Sequence, residues 1–433
     1  MLNVNQKAVL SHLTEWYNSS NTFGVLHGAA GTGKTYLVEH FLTTLGKNCK
    51  PLLLAETNEA VNVLAKSVKN KYPTKTICSA LGLVVSHTGG EKVLVQKNQP
   101  NFEDFNLLVI DEASMLDSTK LELIRDLGIK TLYIGHKSQL PPVDTKLTVT
   151  NKCISPVFEE NFPTFNLTEA VRNKGELALF CDEAESLIYK RGILTSKYTV
   201  PVSMLHTALT QDYCIYDFKE GRTVCLAWTN KTVAMYNDKI RSALFGQAAL
   251  QLDFVPTDRV ILRSPTLMFD NPVSAKVDSL EAICSKANAS ELLSTNTKGV
   301  VKFVSETTLL GIAVYELYIE TNHFNIEHTQ GIIYVAVNPE ELDVLSKKLY
   351  VSALYERNLV VADKKWKKYH DLHTVFSNCK HGYAITVHCA QGSTIPNVFV
   401  CEKDISSCNN PYLRKKLKYV AYSRASNALF RVT

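Results

Sequence analysis

Apolar runs and polar turns alternate regularly in the first third of the chain. The mostly apolar runs are predicted to be buried strands, and they cover residues 22–27, 51–55, 105–110 and 131–134. Residues 36–45 and 61–71 instead repeat apolar side chains at helical spacing, and the first of these predicted helices stops before Gly46. Strand, polar turn and helix in this order predict a parallel sheet whose loops collect at the carboxyl ends of its strands.

A second α/β pattern occurs towards the end of the chain. Residues 224–228 form a predicted strand that leads into a helix, and residues 397–400 form another predicted strand. Between them, short β-rich runs such as residues 299–304 replace the α/β order. This middle part closes with residues 364–370, where lysines interleave with aromatic side chains; the pattern suits nucleic-acid binding and a solvated helix face equally well.

These patterns predict an α/β protein in three parts. Two α/β cores are expected, and a small β domain is inserted into the second. The predicted boundaries are 1–171 for the first core, 172–249 and 379–433 for the second, and 250–378 for the inserted domain.

Two β-rich runs between residues 83 and 95 interrupt the first core. Gly89 and Gly90 join them, and this pair favours a tight hairpin turn, so a hairpin is predicted at about 83–104. One interpretation is a structural hairpin that covers a sheet edge, which the residues alone favour. The other is a protruding pin that wedges between paired strands of nucleic acid.

Composition sets broad limits on the class of protein. The 433 residues are 45% hydrophobic and 21% charged, as in an ordinary globular protein, and no apolar run is long enough for a membrane span. The start of the chain lacks the basic and apolar segments of a signal peptide, so we expect a cytoplasmic protein, in the host cytoplasm if the chain is viral. The eleven cysteines contain no C-x-x-C pair and are expected to be reduced. A net charge of +5 is compatible with a polyanionic partner.

The segment after the first predicted strand matches the phosphate-binding pattern G-x-x-x-x-G-K-[ST]. It consists of Gly28, Ala29, Ala30, Gly31, Thr32, Gly33, Lys34 and Thr35. Glycines let the backbone wrap closely around phosphates, and the following helix N-terminus adds N–H donors. We expect Lys34 to reach the β- and γ-phosphates and the Thr35 hydroxyl to bind Mg²⁺. The segment therefore predicts a nucleoside triphosphate site.

Two adjacent carboxylates, Asp111 and Glu112, follow the predicted strand at 105–110. In a phosphate-loop enzyme the first acid can hold Mg²⁺, and the second can orient or deprotonate the attacking water. An Asp-Glu pair is common by itself. Its position after a buried strand, together with the phosphate loop, predicts triphosphate hydrolysis.

Five further residues each allow more than one interpretation. Gln6 can read adenine through its amide, although a solvated surface position is favoured by the residues alone. Gln139 precedes two prolines and is either part of a surface turn or a γ-phosphate sensor. Arg172 and Arg424 are able to stabilise a transferring phosphoryl group as a pair. His388 is a core histidine or a backbone-positioning donor, and no Ser or Asp partner makes it part of a hydrolase triad.

In their order along the chain these segments resemble the motif series of the superfamily-1 helicases, and most of all the RecD-like subgroup B, over nearly the whole chain. The matching segments are Gly-Ala-Ala-Gly-Thr-Gly-Lys-Thr at 28–35, Asp-Glu-Ala-Ser at 111–114, Gln-Leu-Pro-Pro at 139–142, Leu-Thr-Glu-Ala-Val-Arg at 167–172, Trp-Thr-Asn-Lys at 228–231, Thr-Val-His-Cys-Ala-Gln-Gly at 386–392 and Tyr-Val-Ala-Tyr-Ser-Arg-Ala at 419–425. Any one segment is modest, but the set in the correct order is highly specific.

The resemblance implies two RecA-like P-loop domains, a strand-separating pin at the predicted hairpin, and an SH3-like inserted β domain. It implies that Gln6 reads adenine, that Gln139 senses the γ-phosphate, and that Arg172 and Arg424 reach the site from the second RecA-like core. Gln391 and Gly392 are implied to couple the nucleotide to the path of the strand. The residues implied to contact single-stranded nucleic acid are Thr57, Asn58, Thr76, Ser79, Thr229, Asn230, Thr386 and His388.

The activity implied by the resemblance is that of an ATP-dependent DNA helicase that uses Mg²⁺ and moves 5′ to 3′ on single-stranded DNA. Fork DNA is the expected partner of a monomeric enzyme, with replication or recombination proteins as further partners. Two alternatives stay open: an RNA helicase of a viral replication complex, and a nucleotide-switched clamp that binds a strand without unwinding.

The chain departs from the family pattern at two places. His136 and Lys137 stand where the family usually has Gly-Asp, which puts second-shell support of Mg²⁺ near Gln139 in doubt. Tyr422 and Ser423 replace the commoner Leu-Thr or Val-Thr before Arg424, which is a milder change.

Overall fold

The computed structural model describes residues 2–29, 31–88, 91–96, 101–142, 153–169, 175–274, 277, 279–285, 289–323 and 326–433. The chain divides into two compact units. The first unit comprises Met1–Val202, Leu226–Asn230 and Thr386–Thr433, and the second comprises Ser203–Cys225 and Lys231–Ile385. The domain boundaries expected from the sequence pattern stay a prediction.

Helices and strands alternate through the first part of the chain. The helices are α1 Val4–Tyr17, α2 Lys34–Leu45, α3 Asn58–Ser67, α4 Ile77–Ala80, α5 Ser118–Asp126 and α6 Glu176–Tyr189, with 3-10 turns at Gly46–Asn48, Ala113–Met115 and Pro156–Phe158. The strands are β1 Phe23–Gly28, β2 Pro51–Ala55, β3 Thr74–Thr76, β4 Leu83–Thr88, β5 Glu91–Gln96, β6 Leu107–Asp111, β7 Thr131–Gly135, β8 Thr164–Leu167 and β9 Thr199–Val200.

The second part of the chain is richer in strands. Its helices are α7 Val202–Ala208, α8 Asp212–Lys219, α9 Asn230–Phe245, α10 Gln247–Gln251, α11 Leu280–Ile283, α12 Pro339–Leu354, α13 Leu359–Val375, α14 Val387–Ala390, α15 Glu402–Ser406 and α16 Pro411–Tyr422. The strands are β10 Thr223–Ala227, β11 Arg259–Leu262, β12 Thr266–Phe269, β13 Ala289–Leu293, β14 Lys298–Leu309, β15 Ile312–His323, β16 Ile326–Ala336, β17 Cys379–His381, β18 Ala384–Thr386, β19 Ile395–Cys401 and β20 Ala425–Val432.

Two sheets match the predicted α/β cores. The first has the order β3-β2-β6-β7-β1-β8, and all its pairings are parallel. The second has the order β18-β10-β19-β20-β9, and its β19–β20 and β20–β9 pairings are parallel. Crossovers between parallel strands place the segment after each strand at one edge of the sheet, which is where the predicted site residues lie.

Helix α1 packs against one face of β1, the strand that leads into the phosphate loop. Val9, Leu13 and Trp16 of α1 are buried against this face, and the Trp16 indole N–H donates to the Phe23 carbonyl at 3.1 Å. A Cβ on Gly24 would lie 2.8 Å from the Trp16 ring, so only glycine lets helix and strand approach this closely.

The structure corrects one predicted boundary and adds two elements. Helix α3 begins at Asn58, not near residue 61, because the Thr57 hydroxyl accepts the Ala60 N–H and caps it. Strand β8 and helix α6 had no prediction, and β8 pairs with β1 as an edge of the first sheet.

The hairpin predicted near residue 83 is confirmed as an antiparallel pair. Strands β4 and β5 pair from Leu83 opposite Gln96 to Thr88 opposite Glu91. The Gln96 side-chain amide donates to the Leu81 carbonyl at 3.0 Å, which ties the base of the hairpin to the end of α4. Gly89 and Gly90 lie outside the described residues.

The middle part of the chain differs from the predicted set of short strands. It holds a seven-stranded sheet with the order β13-β12-β16-β15-β14-β11-β17, and the pairings β14–β15 and β15–β16 are long and antiparallel. Helices α12 and α13 lie between β16 and β17 in the chain, and α13 confirms that residues 364–370 are helical. The SH3-like character of this part stays a prediction. In the described part of the chain, no helix combines the length and apolarity that crossing a membrane requires.

A buried ion pair lies inside the second unit. The Arg241 guanidinium from α9 donates to both carboxylate oxygens of Asp258 at 3.0 to 3.2 Å. The Tyr383 hydroxyl and the Val255 N–H also donate to this carboxylate, each at 3.0 Å. Because a buried charge is tolerated only when it is paired and hydrogen-bonded, removal of one partner from this network should destabilise the second unit strongly.

Substitution Arg241→Met tests this network, because it leaves the Asp258 carboxylate buried without its cation. We expect the free energy of unfolding to fall by about 3–5 kcal/mol, measured from denaturant unfolding by circular dichroism. Arg222→Met is the control, since Arg222 pairs with Asp217 at 2.6 Å on the surface, and the loss there should stay below about 1 kcal/mol. Equal losses in the two variants would contradict the assignment.

Candidate active site

The phosphate loop joins the end of β1 to the start of α2. Gly31 and Gly33 adopt positive φ angles of 82° and 80°, a conformation that other residues rarely reach. A Cβ on Gly28 would lie 2.6 Å from Thr32 Oγ1 and 3.0 Å from the Leu167 Cβ, so this position also requires glycine. Backbone geometry therefore explains why the predicted pattern has glycine at these positions.

Lys34 folds back over this loop. Its ammonium donates to the carbonyl oxygens of Gly28 and Ala29 at 2.8 and 2.9 Å. Gly33 precedes α2 without a side-chain cap, so the first-turn N–H groups have no capping side chain. A cation and a helix N-terminus at one glycine-rich loop form a suitable cradle for phosphates.

Gln6 lies under the loop and not on the surface, so the interpretation as a solvated residue is wrong. Only 3% of the residue is exposed. Its amide N–H donates to the Thr32 carbonyl at 3.1 Å, and its amide oxygen accepts the Asn3 N–H at 3.1 Å. In this geometry the side chain links the start of α1 to the phosphate loop, and its role in reading adenine stays a prediction.

Of the two predicted carboxylates, Asp111 is the last residue of β6 and Glu112 directly follows it. Burial, together with the neighbouring Glu112, raises the pKa of Asp111 above its usual range, although the Lys34 charge opposes this shift. A divalent cation would favour the charged carboxylate, and carboxylate and hydroxyl oxygens are ligands that Mg²⁺ prefers. Asp111 and Thr35 therefore fit the predicted metal role. Glu112 has a left-handed backbone with φ 51°, a strained conformation of the kind found at functional sites.

One chain of contacts joins three predicted residues that are distant in sequence. The Gln391 amide N–H groups lie 3.4 Å from Glu112 Oε2 and 3.3 Å from the Ser114 hydroxyl oxygen. The Ser114 hydroxyl in turn donates to Gln139 Oε1 at 3.3 Å. These distances lie at the long end of the hydrogen-bond range, so the contacts can rearrange at small cost. Ser114 is the link between these side chains. The sequence motif that contains Ser114 gives no indication of this role.

Gln391 has one further property that suits a site for a ligand. Its amide oxygen is buried without a hydrogen-bond partner among the described residues. Flipping the amide would place this oxygen against the Glu112 carboxylate, so electrostatics supports the orientation described. Gly392 follows with φ 82°, and a Cβ there would lie 3.8 Å from Glu112 Oε1. Both predicted coupling residues therefore lie beside the predicted catalytic acid.

Arg424 is buried just after α16. Its guanidinium donates to the carbonyl oxygens of Val420 and Ser393 and to the Ser423 hydroxyl, at 3.0 to 3.2 Å. Ala30 and Arg172, the other predicted residues for phosphate contact, lie outside the described residues. The structure therefore locates one member of the predicted arginine pair.

Three of the residues predicted to contact nucleic acid share one structural role. The hydroxyls of Thr57, Thr76 and Thr386 each accept an N–H from three residues further on and cap α3, α4 and α14. Asn58 opens α3, and Ser79 supplies the N–H that the Thr76 hydroxyl accepts. Caps on short helices that follow strands leave further N–H donors at the helix ends, which suits contact with phosphates.

Two more predicted residues, Thr229 and Asn230, lie at the end of β10 and the start of α9. The Asp404 carboxylate accepts the N–H of Trp228 and Thr229 and the Thr229 hydroxyl, at 2.6 to 2.9 Å. Asp404 thus fixes this turn, a role without a local sequence signal. Burial lowers the pKa of His388, because an apolar environment disfavours the charged imidazolium.

Comparisons with known proteins agree with the fold and with the order of the motifs. Residues 1–183 match the AAA domain family, and residues 381–432 match the UvrD-like helicase C-terminal domain. Uncharacterized protein R530 of Acanthamoeba polyphaga mimivirus is 22% identical over 99% of both chains. ATP-dependent DNA helicase dda of Enterobacteria phage T4 is 25% identical over 94% of this chain and 93% of its own length.

A solved structure shows the same fold. The crystal structure of Pif1 helicase from Bacteroides in complex with ADP-AlF3 and ssDNA has a TM-score of 0.53 at 14% identity, and the match covers 100% of this chain and 92% of that one. By its fold, the order of its motifs and its full-length relatives, this chain belongs to the superfamily-1B helicases, the group that contains RecD, Pif1 and Dda.

Proposed function

We propose that this helicase couples ATP hydrolysis to 5′ to 3′ movement along single-stranded DNA and so unwinds duplex DNA at forks. The observation that carries the proposal is the contact chain from Gln139 through Ser114 and Gln391 to Glu112. This chain of contacts joins the segment that follows α14 to the two segments that follow β6 and β7. A change in the bound nucleotide can therefore reach a segment that is predicted to contact the nucleic-acid strand.

The nucleotide is bound by the phosphate loop. Lys34 supplies the cation for the β- and γ-phosphates, and the N–H groups at the start of α2 complete the cradle. Thr35 and Asp111 would hold Mg²⁺, which neutralises charge on the phosphates when it is bound. Gln6, beneath the loop, is the proposed contact to adenine.

Glu112 is the proposed general base for the attacking water. Gln139 orients the same water against the γ-phosphate, and Gln391 keeps the Glu112 carboxylate directed towards it. Arg424 and Arg172 stabilise the charge that develops on the transferring phosphoryl group. Arg424 must leave part of its present set of carbonyl partners to do so, and such a rearrangement suits a cyclic motor.

The strand is held through its phosphates at the capped helix ends. The proposed contacts are those of Thr57, Asn58, Thr76, Ser79, Thr229, Asn230, Thr386 and His388. Backbone contacts of this kind bind DNA without reading its sequence, as movement along any strand requires. The hairpin of β4 and β5 is the proposed pin that separates the duplex. The remaining proposals are a monomeric enzyme, action in the cytoplasm and contact with replication or recombination proteins.

Substitution Glu112→Gln removes the proposed base and keeps the shape of the side chain. We expect the kcat for ATP hydrolysis to fall by about 100-fold or more, because general-base catalysis is lost, while binding of a fluorescent ATP analogue is retained. The measurement is steady-state hydrolysis with saturating single-stranded DNA.

Glu122→Gln is the matched control, because Glu122 is an exposed acid on α5, and its kcat should equal that of the wild type. Near-normal hydrolysis by Glu112→Gln would exclude Glu112 as the base.

Substitution Thr57→Val removes a hydroxyl from the proposed strand contact and keeps the branched side chain. We expect the Kd for oligo-dT, measured by fluorescence anisotropy, to rise about 10-fold, as the loss of one hydrogen bond to a phosphate predicts. The slope of log Kd against log salt should stay the same, because no cation is removed.

Two variants control for the change of side chain at residue 57 and for a general effect of valine. Thr57→Ser keeps the hydroxyl, and Thr43→Val changes an exposed threonine on α2; both should bind as the wild type does. Wild-type affinity in Thr57→Val would remove Thr57 from the strand contacts.

A further inference from the structure

The turn that follows β7, residues 136–139, is held from two sides by charged groups of opposite sign, the buried Lys416 ammonium and the half-buried Glu185 carboxylate. It carries the proposed γ-phosphate sensor Gln139, and we refer to it as the sensor turn. The side chains of His136 and Gln139 are 3% and 4% exposed. The position of the Gln139 amide is therefore set by what packs around the turn.

Lys416 of α16 holds the backbone of the sensor turn. This lysine is 1% exposed, and its ammonium donates to the carbonyl oxygens of Lys137 and Gln139, the latter at 3.1 Å. The Tyr189 hydroxyl of α6 also donates to the Lys137 carbonyl at 3.1 Å. One side chain thus fixes two carbonyl groups of the sensor turn, one of them that of Gln139 itself.

Glu185 of α6 holds the side chains of the sensor turn. Its carboxylate accepts the Ser138 hydroxyl at 3.0 Å and lies 3.2 Å from His136 Nε2. Although burial raises the pKa of Glu185, these hydrogen bonds and one from Tyr419 outweigh it and hold the pKa below its usual range. The His136 ring also packs on the His27 ring at 4.5 Å between ring centres.

The ammonium of Lys416 is costly for the fold. Burial lowers its pKa to about 8, and its ionisable neighbours in the described part of the chain are Cys153 and Lys137, neither of which is a carboxylate. A buried charge that has only carbonyl partners is seldom better for stability than an apolar side chain of similar volume. Stability therefore gives no reason for a lysine here, and a role in holding the sensor turn does.

The same helix also carries the proposed catalytic arginine. Arg424 follows the end of α16, and its guanidinium donates to the Val420 carbonyl of that helix at 3.1 Å. Lys416 lies about two helical turns before Arg424. Helix α16 therefore connects the backbone of the sensor turn to the arginine that is proposed to contact the γ-phosphate.

We propose that Lys416 and Glu185 are positioning residues that clamp the sensor turn, so that Gln139 and Arg424 engage the γ-phosphate together. The inference rests on the proposed function and names two further residues of the same site. The clamp acts on the hydrolysis step and leaves nucleotide binding to the phosphate loop.

The test is Lys416→Met in the full-length chain, assayed for ATP hydrolysis with saturating oligo-dT. We expect kcat to fall about 10- to 100-fold, because a catalytic group that is misplaced by about 1 Å costs this much, while the KM for ATP stays within about twofold. The thermal unfolding midpoint should be unchanged or higher, since a buried charge is removed. A merely structural role would instead lower the midpoint and leave the kcat of the folded protein unchanged.

Two further variants complete the test. Lys415→Met is the matched control, because the neighbouring Lys415 contacts the single carbonyl of Lys190 at 3.3 Å, and its kcat should equal that of the wild type. Glu185→Gln should lower kcat less than Lys416→Met, because the amide oxygen still accepts the Ser138 hydroxyl; it also tests the clamp if Lys416→Met does not fold. Wild-type kcat in both Lys416→Met and Glu185→Gln would overturn the clamp and leave the proposed function intact. Absence of hydrolysis in the wild type would overturn both.

Discussion

The interaction on which the proposed coupling most depends is the contact of the Gln391 amide with Glu112 and Ser114. It joins Glu112, the proposed general base that directly follows β6, to a residue 279 positions later in the chain. The contacts are long for hydrogen bonds, so the amide can exchange partners at small cost. A motor needs such a connection, because a rigid link between the segments would prevent movement and the lack of one would prevent coupling.

The parts of the site that the sequence could predict are those with local causes. The phosphate loop requires glycines for its positive φ angles and close approaches, and the carboxylates follow a buried strand, so both leave a readable pattern. The resemblance to helicases rests in addition on the order of the motifs along the chain. The parallel sheets follow from the same alternation of apolar runs and helices.

The remaining contacts could not be read from the sequence because long-range packing makes them. Glu185, Asp404 and Lys416 belong to no local pattern, and their partners come from other segments. The turn at His136 and Lys137 illustrates the consequence: the family pattern has an acid in this turn, and here Glu185 brings a carboxylate to it from α6. The surface interpretation of Gln6 was wrong for the same reason, since the loop that buries it lies 26 residues away.

The central claim is that hydrolysis at this site moves the protein 5′ to 3′ along DNA. A strand-displacement assay with 5′-tailed, 3′-tailed and blunt DNA duplexes, together with a 5′-tailed RNA duplex, tests it most directly. We expect ATP- and Mg²⁺-dependent displacement from the 5′-tailed DNA and none from the 3′-tailed or blunt DNA. Displacement from the 3′-tailed DNA alone, displacement of RNA alone, or DNA-stimulated hydrolysis without displacement would contradict the account.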